Sequence, residues 1–226
     1  MRRSAPFRFG SMHARPPHAE PGQRIGLLGG SFNPPHAAHR LITEIALSRL
    51  ALDRVWWVVT PGNPLKNRSE LLPLAERVDL ARTLMDDPRV VVTDFEKNLG
   101  SPFTAATLAY LELRFRGVHF VWVMGGDCLA DFHRWQHWRE IFETIPIAVV
   151  DRPGWRLPAL ASRAGRAFAS RRLPESLASH LATTHPPAWV YVTGPTLQLS
   201  STEIRYRAMQ QRMSRNRPAT MDRGNT

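Results

Sequence analysis

The stretch Ile25-Gly26-Leu27-Leu28-Gly29-Gly30-Ser31-Phe32-Asn33-Pro34-Pro35-His36-Ala37-Ala38-His39-Arg40 decides the fold. Its apolar start reads as a strand. Gly29-Gly30 ends that strand in a tight turn, because glycine permits a positive φ and the close approach of a ligand. Pro34-Pro35 bars a helix until Ala37-Ala38-His39 opens one. His36 and His39 then both sit at a helix N-terminus, where unpaired amide donors and the positive end of the helix dipole converge. A helix start of this kind attracts anions before any side chain is counted, and phosphate is the expected guest. Taken singly, a Gly-Gly turn or a helical histidine is ordinary in α/β proteins. The order Gly, Phe, Pro, His, x, x, His within one strand-to-helix turn is what points to function.

Downstream, strand and helix patterns alternate. A helix is expected from His39 to Leu50, a strand at Val55–Val59, a helix at Pro73–Met85 and a short strand at Val90–Val92. A helix capped by Ser101 should run through Leu108 to Phe115, followed by a strand at Val118–Met124 and another at Ile147–Val150. Residues 155–187, rich in Ala, Arg and Ser, read as helical pieces or irregular structure, and Ala188–Thr193 as a last strand. This β/α order predicts an α/β fold: a Rossmann-like open, mainly parallel sheet with helices on both faces, in a single domain.

At 226 residues and 43% hydrophobic content the chain can bury one sizeable core. The net charge is +11, and most of the excess lies in the ends: residues 1–24 carry five Arg and one Glu, residues 206–226 five Arg and one Asp. The expected organisation is a disordered Arg-rich extension over residues 1–23, the domain over 24–207 and a basic tail over 208–226. Basic ends beside a nearly balanced middle argue against a nucleic-acid-binding core surface. The sole cysteine, Cys128, excludes an internal disulfide and a Cys-rich zinc site. No uncharged apolar run approaches the ~18 residues of a membrane span, and no secretory h-region is visible. A cytoplasmic protein that binds neither membrane nor nucleic acid is expected, as a monomer or homodimer.

Strand ends collect the remaining chemistry, as open α/β sheets place ligands there. Lys66, in the loop after Val55–Val59, is either a phosphate contact or a solvated lysine. Gly125-Gly126-Asp127 arrives at the same edge as the first Gly-Gly turn, and Asp127 either bonds a ribose or caps a helix beginning at Cys128. Trp135, three residues before Trp138 on that helical stretch, is either core or a stacking surface for an aromatic ligand. Arg152 is a cation at a further strand end. Near the C-terminus Ser200-Ser201-Thr202-Glu203-Ile204-Arg205 has the spacing of a capping box, with Arg205 and two hydroxyls able to form a second anion cradle.

Two phosphate-seeking helix starts imply a polyphosphate between them, most economically ATP. No P-loop and no Gly-x-Gly-x-x-Gly fingerprint is present. Histidines at the α-phosphate suggest nucleotidyl transfer, in which an incoming phosphate oxygen displaces pyrophosphate and the enzyme's work is in-line positioning and charge neutralisation.

Gly29 to His39 resembles the (H/T)xGH-type signature of the nucleotidyltransferase superfamily, and Ser200 to Arg205 resembles its late Ser-x-Thr-x-x-Arg motif. Over residues 24–207 the chain is similar to the bacterial nicotinate-nucleotide adenylyltransferases. The resemblance implies adenylyl transfer from ATP to nicotinate mononucleotide, giving deamido-NAD and pyrophosphate. His36, His39 and Arg205 would be catalytic, with Gly29, Gly30, Ser31, Phe32, Ser200, Ser201 and Thr202 completing the ATP site. Asn33, Lys66, Thr104, Asp127, Trp135 and Arg152 fall to the mononucleotide, Thr104 and Trp135 enclosing its pyridine ring. Asn33 stands where many members carry Asp, so Mg²⁺ would be held mainly by ATP phosphates and water, with no protein metal ligand. Ala38 stands where many carry Gly. The alternatives are another phosphate monoester acceptor, such as nicotinamide mononucleotide or phosphopantetheine, and a non-catalytic nucleotide- or RNA-binding module.

Overall fold

A computed structural model describes residues 14–62, 71–206 and 210. Seven strands form one sheet: β1 (Arg24–Gly30), β2 (Arg54–Val59), β3 (Val90–Thr93), β4 (His119–Gly125), β5 (Ile147–Val150), β6 (Arg172–Leu173) and β7 (Trp189–Val192). They lie in the order β3-β2-β1-β4-β5-β7-β6. Every neighbouring pair is parallel, so the sheet expected to be mainly parallel is wholly so. The helices are α1 (Ala37–Arg49), α2 (Leu74–Leu84), α3 (Thr104–Arg114), α4 (Gly126–Asp131), α5 (Trp138–Thr144), α6 (Arg156–Ala161) and α7 (Arg163–Ala167).

A parallel sheet is covered on both faces, so its strands read as apolar runs whose side chains alternate between two cores. Adjacent Trp56 and Trp57 show this alternation. Trp56 belongs to the core on one face, with Leu27, Trp122, Phe132 and Trp189, and Trp57 to the core on the other, with Leu28, Phe32, Ile45 and Val78. Buried indoles usually find a partner for their N–H, but Nε1 of Trp56 and of Trp122 is buried with no partner among the described residues. Trp57 Nε1 donates to Thr43 Oγ1 on α1 at 2.7 Å, and Trp189 Nε1 to the Phe168 carbonyl at 2.7 Å.

Strand order reverses between β1 and β4. From β1 the chain moves outward through β2 to β3, and from β4 outward the other way. A crevice opens at such a switch point beyond the carboxyl ends of the strands. The two ends there are Gly30 and Gly125, each followed by a helix that starts at the sheet edge.

Several expectations are corrected. Ser101 does not cap α3; the N-cap is Phe103, and Ser101 Oγ accepts from the Phe103 N–H at 3.4 Å in the turn before it. The helix expected to begin at Cys128 begins at Gly126, and the chain breaks into a 3₁₀ turn at Phe132–Arg134 before α5, so Trp135 and Trp138 do not share a helix. Residues 155–187 hold the expected helical pieces, α6, α7 and two 3₁₀ segments, but also the two-residue strand β6, which composition did not reveal. The extension expected to be disordered over residues 1–23 is packed from Ala14 on. Ala14 is 6% exposed, and its carbonyl accepts from the Tyr110 hydroxyl at 3.0 Å. The Gly22 N–H bonds the Gly117 carbonyl at 2.7 Å, which brings the chain onto the start of β4. Residues 1–13 and all of the expected basic tail except residue 210 lie outside the described residues.

Candidate active site

Gly29 and Gly30 close β1, and neither has a positive φ; in this turn the left-handed residue is Phe32, at φ 46°. The expectation that these glycines supply a positive φ is corrected accordingly. A Cβ on Gly29 would lie 2.3 Å from the tip of the Trp122 ring, so Gly29 is needed because β4 brings a large indole against it. The left-handed conformation costs a bulky residue roughly 1–2 kcal/mol. Packing offsets that strain: the Phe32 ring is buried, stacked on Trp57 at 5.0 Å and tilted against His39 at 4.7 Å.

Asn33 is 2% exposed, with its Oδ1 accepting from the Leu72 N–H at 3.0 Å and its carbonyl accepting from Arg205 Nη1 at 2.7 Å. Both oxygens hold the turn together. Asn33 thus orients the turn through both of its oxygens.

His36 is the N-cap of α1, in extended conformation. Its N–H donates to His39 Nδ1 at 3.2 Å, and the His39 N–H donates to the His36 carbonyl at 2.8 Å. The His39 ring fills the place that a Glu or Gln side chain takes in a capping box. Accepting at Nδ1 leaves its proton on Nε2. The two rings lie 3.9 Å apart, centroid to centroid. Burial first, and the charge of Arg152 second, push the His36 pKa down to about 4, so this imidazole is neutral near pH 7. No acidic residue stands in the first turn of α1, and the positive end of the helix is left to an incoming anion.

The late motif folds onto this turn. Residues 201–206 are helical, and Ser200 Oγ accepts from the Glu203 N–H at 3.1 Å, half of the expected capping box. Ser201 Oγ donates to the Pro34 carbonyl at 2.9 Å, while Arg205 reaches the Asn33 carbonyl from the next turn. Thr202 is exposed.

Arg152, after β5, donates through Nη1 to the Asp127 carboxylate and through Nη2 to the Leu199 carbonyl. It joins the first turn of α4 to the segment leading into the cradle. Asp127 lies in the first turn of α4, one residue past its start, with its carboxylate engaged by Arg152. That settles the capping alternative against a cap. Beside this pair opens a cleft of about 300 Å³ lined by Asp151, Arg152, Gly154, Arg156, Leu157 and Thr196.

Thr104 is the first residue of α3 and half-buried. Trp135 sits where the 3₁₀ turn ends, half-buried, with its ring 4.9 Å from Phe132 and edge-on to Trp122 at 6.1 Å. Trp122 therefore touches both the Gly29 position and Trp135. Lys66 lies outside the described residues.

One residue at the site escaped the sequence reading. Arg77 on α2 is 1% exposed and donates to the carbonyls of Ser31, Thr60, Pro61 and Leu72. A signal existed: Leu74, Arg77, Val78 and Ala81 follow the i, i+3, i+4, i+7 spacing of a buried stripe, and an arginine on such a stripe asks for a reason.

Residues 27–207 match the family described as cytidylyltransferase-like. Over 189 residues the chain is 54% identical to a probable nicotinate-nucleotide adenylyltransferase of Mesorhizobium japonicum, covering 84% of this chain and 97% of that one. Over 184 residues it is 55% identical to a probable nicotinate-nucleotide adenylyltransferase of Methylorubrum extorquens, covering 81% of this chain and all of that one. In fold it is similar to the structure of Plasmodium falciparum nicotinic acid mononucleotide adenylyltransferase complexed with NaAD. The TM-score is 0.62 at 16% identity, over 81% of this chain and 83% of that one.

Proposed function

The chain belongs to the cytidylyltransferase-like family, in its nicotinate-nucleotide adenylyltransferase branch, and from that membership we infer that it transfers the adenylyl group of ATP to nicotinate mononucleotide, releasing deamido-NAD and pyrophosphate. One observation carries the reading at the level of the site: two helix starts at opposite ends of the sequence are hydrogen-bonded into a single anion-binding turn, through Ser201 to Pro34 and Arg205 to Asn33. A triphosphate lying there has its α-phosphorus near the histidines and its outer phosphates toward the cradle.

In this reaction a phosphate oxygen of the mononucleotide attacks the α-phosphorus in line and pyrophosphate leaves, with no covalent enzyme intermediate required. We assign Gly29, Gly30, Ser31, Phe32, His36 and His39 to the inner phosphates. His39 offers its Nε2–H, and His36 is neutral near pH 7. Ser200, Ser201, Thr202 and Arg205 stabilise the charge that develops on the departing pyrophosphate. Arg152, Asp127, Thr104, Trp135 and Lys66 are assigned to the mononucleotide, with Trp135 offering a face to the pyridine ring.

Mg²⁺ is proposed to enter on the ATP phosphates with its own waters, as this ion tolerates well. The turn does not form a carboxylate cage for it: Asn33 is an amide with both oxygens engaged, and Asp127 is paired with Arg152. None of the helices in the described residues is long and apolar enough to cross a membrane. We place the enzyme in the cytoplasm, acting as a monomer or homodimer.

The test is direct. Purified protein with ATP, Mg²⁺ and nicotinate mononucleotide should form deamido-NAD and pyrophosphate in equal amounts, and absence of both overturns the reading.

A further inference from the structure

Arg77 is buried among backbone carbonyls without an acid to match it. Its Nη1 donates to the carbonyls of Ser31 at 2.6 Å and Thr60 at 2.8 Å, its Nη2 to Pro61 at 3.4 Å and its Nε to Leu72 at 3.0 Å. Among the described residues no carboxylate bridges to it. Burial lowers the guanidinium pKa from its ordinary value, yet arginine keeps its proton in proteins, so the site holds a full positive charge. An apolar side chain here would leave four main-chain carbonyls without this donor, so Arg77 holds the surrounding backbone in a fixed arrangement.

The carbonyl that Arg77 holds most closely belongs to the peptide between Ser31 and Phe32. A trans peptide is planar, with its C=O and N–H pointing in opposite directions. Drawing the Ser31 carbonyl onto the guanidinium aims the Phe32 N–H away from it. Phe32 is the left-handed residue of the turn, the conformation that backbone needs help to keep. The same guanidinium fixes Thr60 and Pro61 at the end of β2 and Leu72 just before α2. One side chain thus sets three segments that frame the phosphate turn.

Resting on the adenylyltransferase reading, we propose that Arg77 is a positioning residue for the transfer step: it fixes the Ser31–Phe32 peptide so that its N–H faces the phosphates, and it supplies unneutralised positive charge beneath them. It need not touch substrate. Its contribution should therefore appear in turnover more than in binding of the second substrate.

The experiment compares the parent with Arg77→Met and Arg77→Lys in steady-state assays with ATP, Mg²⁺ and nicotinate mononucleotide, each rate normalised to the folded fraction by thermal melting. The expected result for Arg77→Met is a kcat lower by about 100-fold, the scale of losing one preorganised transition-state interaction. Its KM for nicotinate mononucleotide should stay within about threefold. Arg77→Lys, which restores the charge without the fork, should recover part of that loss. Should Arg77→Met fail to fold, the decision passes to Arg77→Lys, for which a kcat reduced at least about tenfold, with KM for the mononucleotide kept, supports the proposal. A parental kcat in a folded variant overturns it, as does a rise in KM for the mononucleotide with kcat kept. An inactive parent would instead overturn the functional reading itself, so the two failures are distinguishable.

Discussion

The hydroxyl of Ser201 donates to the main-chain carbonyl of Pro34 at 2.9 Å, joining two positions 167 residues apart. With the Arg205 bond to Asn33, it ties the Gly29-to-His39 turn to the late Ser200-to-Arg205 motif.

Ser201→Ala removes that bond and leaves the Pro34 carbonyl without it. A hydrogen bond of this type contributes about 1 kcal/mol net, so the melting temperature should change little. The cradle should lose its register on the turn, raising the KM for ATP about tenfold, equivalent to about 1.4 kcal/mol of binding. Steady-state kinetics beside a melting curve check both parts, and a parental KM would remove the cradle from the ATP site.

The histidine pair gives a pH prediction with a definite sign. His36 is pushed from 6.5 to about 4, chiefly by burial and then by Arg152. Between those values the unfolded chain binds a proton that the folded chain does not. The stability that His36 contributes is therefore full above about pH 6.5 and is lost as pH falls toward 4. In His36→Gln this loss disappears, so the fall in melting temperature from pH 7.5 to pH 5 should be smaller than in the parent. Equal falls would mean that His36 titrates normally in the folded protein. The same variant should lose about 100-fold in kcat if the imidazole acts at the α-phosphate.

Trp135→Ala should weaken nicotinate mononucleotide, with its KM up about tenfold, while the KM for ATP stays within about twofold. Because Trp135 also packs against Phe132 and Trp122, some loss of melting temperature accompanies it. If both KM values rise together, Trp135 supports the whole cleft and does not single out the pyridine.

The alternating apolar runs were legible because a wholly parallel sheet leaves its strands buried on both faces, as Trp56 and Trp57 display. The Gly29-to-His39 turn was legible as strand, turn and helix, with only the place of its positive φ misread. Glycine and a positive φ are linked only statistically; here the indole of Trp122 demands Gly29, and packing holds Phe32 left-handed. The place of Arg77 on the apolar stripe of α2 was readable, but its role was not, because its partners are carbonyls, which every residue has and no motif records. The Arg152–Asp127 pair joins two strand ends whose proximity depends on sheet order, and sequence order does not state that. Strand β6 is two residues long, too short for any period to show.

Acid-over-amide selectivity is the sharpest consequence of the proposed function. The most direct measurement is pyrophosphate release by purified protein with ATP and Mg²⁺, with nicotinate mononucleotide in one arm and nicotinamide mononucleotide in the other. Release much faster with the nicotinate form, with deamido-NAD as the product, is the expected result. Equal rates with the two mononucleotides, or no release with either, would contradict it.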